Sequence, residues 1–96
     1  MDMFNPAHPG EVLRELYLQP LGLTVTEFAR RIGITRKSAS ELINGRFGLS
    51  LETAMRIGLA TNTSAESWLG MQTQYDLWQA RQRKLHKQIK VEKLAA

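Results

Sequence analysis

The chain has 96 residues, 43% apolar and 23% charged, which suits one small domain with a modest core. It has no cysteine, so disulfides and thiolate metal sites are excluded and a reducing compartment is permitted. The net charge of +4 points to an anionic partner.

The apolar spacing is helical nearly throughout, without strand alternation, so an all-α fold is expected. The opening "MDMFNPAHPGE" lacks the apolar core of a signal peptide, and no apolar run approaches the ~20 residues of a membrane span. A soluble, cytoplasmic chain is the expectation. A first helix is predicted from Pro9 to about Leu18, with Val12, Leu13, Leu16 and Tyr17 inward. "QPLGL" ends it through Pro20 and Gly22. His8, before this helix, fits a role in the amino-terminal turn better than catalysis.

Thr24 reads as the N-cap of a second helix, with Glu27 completing a capping box. Val25, Phe28, Ala29 and Ile32 form its buried stripe. Gly33 fits the left-handed position past its end, and Ile34 plugs the turn. Thr35 caps a third helix, Arg36 to about Asn44. Ser50 caps a fourth, about Leu51 to Thr61, with Leu51, Ala54, Met55, Ile57 and Leu59 as apolar contacts. Asn62 ends it. Ser64 caps a fifth, beginning at Ala65. There Trp68, Met71, Tyr75, Trp78, Leu85 and Ile89 recur at steps of three and four, with Gln82 filling one place. Trp68 is assigned to the core. Tyr75 and Trp78 fit either the core or, with Leu85, a dimer seam.

Two capped helices joined at a glycine, with the small Ala29 and Ala39 facing each other, form the pattern of a helix-turn-helix. At about 100° per residue, Ala39, Leu42 and Ile43 share one side of the third helix. Arg36, Lys37, Ser40, Glu41 and Asn44 fan across the other. That polar face suits the major groove. Arg36 or Lys37 fits guanine, and Ser40 fits several bases. Glu41 either accepts from cytosine or repels phosphate, and Asn44 either pairs with adenine or caps the helix. The helix starts at Thr24 and Thr35, together with Arg46, are the candidates for phosphate. The bland alternative is that these cations form only a solvated face.

The charge is unevenly spread. Residues 81–96 carry six cations against one glutamate, a net +5, which leaves −1 for residues 1–80. We therefore divide the chain into a helix-turn-helix domain, 1–80, and a basic extension, 81–96. The extension has three readings: a frayed solvated end, a source of nonspecific phosphate attraction, or a segment that meets an acidic partner. No ligand-spaced histidine cluster, P-loop or nucleophile–base pair is present, so neither an enzyme nor a cofactor or metal site is expected.

"HPGEVL" at His8–Leu13, "NGR" at Asn44–Arg46, "SAESWL" at Ser64–Leu69 and "QYDLW" at Gln74–Trp78 resemble the HigA-type antitoxins, the VapI or Xre-like addiction-module antidotes. The resemblance runs from about His8 to Ala80. Gly58 and Gly70 stand where relatives often carry alanine and asparagine. The resemblance implies a five-helix domain like the phage repressor DNA-binding domains, with the C-terminal helix extended. It implies a homodimer that binds a palindromic operator in its own promoter and represses it. It also implies a HigB-type toxin partner, a ribosome-dependent mRNA endonuclease. Other readings are a stand-alone Cro/C1-type repressor without a toxin, and an interaction module that uses the fold without DNA.

Overall fold

A computed structural model of the chain describes residues 5–95. Residues 1–4 and 96 lie outside them, and with them part of the leader reading. Among the described residues all regular structure is helical: five helices, then a single turn.

The first helix, α1, is continuous but not uniform. It starts as Pro9–Leu13, widens into a π-helical stretch at Arg14–Leu18, and closes with Gln19–Leu21 before the left-handed Gly22. It therefore runs past Leu18, the predicted end, and past Pro20, while Gly22, the other terminator in "QPLGL", does stop it. Proline has no N–H to offer and its ring crowds the carbonyl four residues back. The π register, in which the Gln19 N–H reaches the Arg14 carbonyl, absorbs both problems one turn early. The surplus residue also rotates the rest of the helix. Leu18 is buried with Leu13, while Leu16, expected inward, is 64% exposed.

The remaining helices are α2 (Val25–Ile32), α3 (Arg36–Ile43), α4 (Leu51–Thr61), α5 (Ala65–Gln82) and the one-turn α6 (Leu85–Gln88). Thr24, Thr35, Ser50 and Ser64 each accept a backbone N–H three residues on, as their sequence positions required. Asn62 ends α4 in the left-handed region. The core joins Leu13, Leu18, Phe28, Ile32, Leu42, Ile57 and Trp68. The Trp68 ring is buried, and its Nε1–H donates to Thr63 Oγ1 at 2.7 Å.

One expectation fails at the surface, on α4, and one reading left open, on α5, is narrowed. On α4, only Ala54, Ile57 and Gly58 turn inward; Leu51, Met55 and Leu59 are 65%, 52% and 86% exposed. A helix packed on two neighbours hides one stripe, and the three large residues lie off it. On α5, the expected stripe stops at Trp78. Lys84 is left-handed (φ 55°), so Leu85 and Ile89 leave the helix axis and stand exposed.

Candidate nucleic-acid interface

The elbow between α2 and α3 is built from backbone first. Gly33 is left-handed (φ 78°), a conformation that penalises any side chain with a Cβ. The N–H groups of Gly33 and Ile34 both return to the Ala29 carbonyl, at 2.9 and 3.0 Å. Arg56, from α4, donates through Nη1 to the Ile32 carbonyl at 2.9 Å, and its other nitrogens hold Glu52. An arginine 24 residues away thus satisfies an orphan carbonyl at the end of α2. Across the elbow, Arg36 Nε donates to Thr26 Oγ1 at 3.0 Å. Two helices, one left-handed glycine and two side-chain ties fix the angle.

On this frame α3 hides Ala39, Leu42 and Ile43 and turns its other side to solvent. Arg36 and Lys37 are exposed there, and Ser40 is half-buried. Asn44 caps the helix end, and its Nδ2 donates to Ser40 Oγ at 3.3 Å. Glu41 is half-buried and lines a cleft with Phe47, Ser50 and Thr53, on the flank toward α4. Thr24, Thr35 and Arg46 are exposed as well. The hydroxyls of Thr24 and Thr35 are occupied by their own caps, at 3.0 and 3.1 Å.

Charge on α2 is largely internal. Glu27 does not reach back to complete the predicted capping box. Its carboxylate takes hydrogen bonds from Arg30 and Arg31 instead. Those bonds hold the Glu27 carboxyl at about 2, well below the usual carboxylate range.

The loop after α3 is pinned by residues that sequence reasoning missed or left vague. His8 is only 7% exposed. Its Nδ1 accepts the Gly10 N–H at 2.9 Å, so it caps α1, as its place before Pro9 suggested. Its ring meets Tyr75 edge-on at 4.9 Å and lies under Gly45. Burial pushes its pKa below the ordinary value of 6.5, against opposing pulls from Asp76, the Phe47 backbone and Glu11. Gln72 is buried on α5, where spacing alone gave it no role. It accepts the Leu49 N–H at 3.0 Å and donates to Asp76 at 2.9 Å. Tyr75 and Trp78, the expected seam residues, are half-buried beside a cleft shared with His8, Arg14, Asn44 and Gln79. Leu85 stands apart on α6.

No group of three or more His, Asp or Glu is placed to hold a metal among the described residues. None of their helices is long and apolar enough to cross a membrane. A hinged pair of capped helices that packs its apolar stripes inward and presents a polar second helix to solvent defines a helix-turn-helix DNA-binding domain.

Comparison with known proteins agrees. A family model described as helix-turn-helix, HTH_3, matches residues 13–68. Virulence-associated protein I of Dichelobacter nodosus is 40% identical over 77 residues, 80% of this chain and 71% of its own length. Antitoxin HigA-1 of Vibrio cholerae is 36% identical over 79 residues, 82% of this chain and 74% of its own. A solved structure of antitoxin GraA in complex with its operator superposes with a TM-score of 0.85 at 32% identity, covering 100% of this chain and 98% of that one. Further relatives are described only as HTH-type transcriptional regulators. The chain belongs to the helix-turn-helix family and, within it, to the HigA-type, Xre-like antitoxins.

Proposed function

We propose that the chain is the antitoxin of a two-component module, binding operator DNA in its own promoter as a homodimer and neutralising a HigB-type mRNA endonuclease. The observation that carries the DNA half is the exposed polar side of α3, held outward by the Gly33 elbow. Lys37 and Arg36 read base edges, with Ser40, Glu41 and Asn44 beside them. Thr24, Thr35 and Arg46 position phosphates. Arg36 serves a second purpose, since its Nε ties α3 to Thr26. The toxin half rests on likeness to the HigA-type antitoxins.

A palindrome is read by two copies about 34 Å apart, so pairing needs an apolar surface. One such exposed stripe runs along α4, where Leu51, Met55 and Leu59 stand one turn apart. The charges beside them, Glu52 and Arg56, already satisfy each other. We assign the seam to this stripe, with Tyr75, Trp78 and Leu85 as the alternative surface.

The test is to co-express the chain with the neighbouring reading frame, purify on one tag, and footprint the upstream DNA. Co-purification of a basic protein with ribosome-dependent nuclease activity, plus a protected palindrome, is the expected result. A protected palindrome without a co-purifying partner would leave the stand-alone repressor, the reading that fits the relatives described only as regulators.

A further inference from the structure

The domain that carries α3 is poor in free positive charge. Residues 1–80 have a net charge of −1. Of their seven cations, Arg14, Arg30, Arg31 and Arg56 lie in ion pairs. The others, Arg36, Lys37 and Arg46, sit on or just after α3, where bases and the nearest phosphates would occupy them. Two copies bring six such cations, only the low end of the roughly six to ten phosphate contacts that make binding strongly salt-dependent, and part of that six is spent on bases.

The missing charge lies in one place. From Arg81 to Lys93 the chain carries six cations against Glu92, and every described residue of this segment is exposed. Lys84, Lys87, Lys90 and Lys93 recur at every third position. The left-handed Lys84 breaks the segment from α5, and beyond α6 the described residues, Ile89 to Ala95, have no regular structure. Its point of departure is fixed by packing. Gln72 and Tyr75 of α5 are tied to Leu49 and His8, and Trp78 and Gln79 share a cleft with Ile43, Asn44 and Gly45. The basic arm therefore leaves the body next to the carboxyl end of α3. One helical turn plus extended chain gives it a reach of about 30 Å, close to one turn of duplex DNA.

We propose that residues 81–93 form a second DNA-contacting element, an arm that follows the phosphate backbone beside the site read by α3 and supplies most of the sequence-independent affinity. This rests on the DNA-binding reading above but has a separate signature. Phosphate contacts release counterions and set the salt slope, whereas base contacts set the preference between sequences.

The experiment uses the full chain and a variant with Lys84, Lys87, Lys90 and Lys93 all changed to Gln. A four-arginine version at the same positions retains charge. Binding to the chain's own upstream duplex and to a scrambled duplex is measured across a salt series. The expected result is a slope of log K against log salt that is shallower by about 3.6 per chain, about 7 for a bound pair, for both duplexes in the glutamine variant. The ratio between the duplexes is unchanged, and the arginine version keeps the original slope. An unchanged slope overturns the arm, as it would if the lysines served an acidic protein instead. A loss confined to the upstream duplex also overturns it. If the wild-type chain binds both duplexes equally while the slope still falls, the arm stands and the operator reading fails. Because the arm lies wholly in solvent, matched circular dichroism and melting confirm that only binding has changed.

Discussion

The α-carbon of Gly10 lies against the backbone carbonyl of Leu42, so closely that a Cβ at position 10 would collide with it. This contact seats the start of α1 on the end of α3 and presses the His8 cap beneath Gly45. Both partners at the collision are backbone, so no rotamer change relieves it. Gly10→Ala should destabilise the domain by about 1–3 kcal/mol, the usual cost of overpacking a tight site. Urea unfolding would show it, and a midpoint equal to wild type would refute the close approach.

Lys37 is exposed on α3, with no hydrogen bond or ion pair among the described residues. Lys37→Ala should leave stability within about 0.5 kcal/mol, as surface changes usually do. It should weaken operator binding by about 1–3 kcal/mol and narrow the preference over scrambled DNA. Equal titrations on the operator for both proteins would remove Lys37 from the reading face. Arg36→Ala is a less clean probe, because it also releases Thr26.

The helix caps, the second to fourth helices and the elbow were legible because their signals are local. Thr24, Thr35, Ser50 and Ser64 act within three residues of themselves, and Gly33 needs only its own φ. Arg36 and Lys37 stand in solvent for the same reason: a period of 3.6 sorts them from Ala39 and Leu42. What was not legible is the second layer. Arg56 reaches Ile32 across 24 residues and Gln72 reaches Leu49 across 23, and no periodicity encodes either tie. The apolar residues of α4 misled for a related reason. Leu51, Met55 and Leu59 have helical spacing, but spacing does not say which side another helix will cover.

Stability should fall with acid in two stages. His8 has a lowered folded pKa, so its contribution is complete above 6.5 and declines as pH drops below it, when the unfolded chain binds the extra proton. Protonation also turns Nδ1 from acceptor to donor, against the Gly10 N–H. Glu27 is lowered from 4.5 to about 2, so its contribution is complete above 4.5 and is lost as pH falls toward 2. Melting curves of His8→Asn should lack the first stage, since asparagine still caps. Those of Glu27→Gln should lack the second. Either variant retaining its stage would reassign that titration.

Leu59 is the most exposed of the three apolar residues on α4. Leu59→Glu should convert a pair into single chains in sedimentation without lowering the melting temperature of the monomer, and should weaken operator binding accordingly. A pair that survives the change moves the seam to Tyr75, Trp78 and Leu85.

The π-helical stretch in α1 has a genetic consequence. A helix with one residue more than its register needs is able to give that residue back. Deleting the exposed Leu16 would restore ordinary winding, but it would also drive the Pro20 ring into a carbonyl that the wider turn now keeps clear, at about 3 kcal/mol. The deletion and Pro20 are therefore an epistatic pair: ΔLeu16 alone should be harmful, and ΔLeu16 with Pro20→Ala close to neutral. Thermal melts of the four combinations measure that coupling, and additive losses would show that the surplus residue and the proline are unrelated.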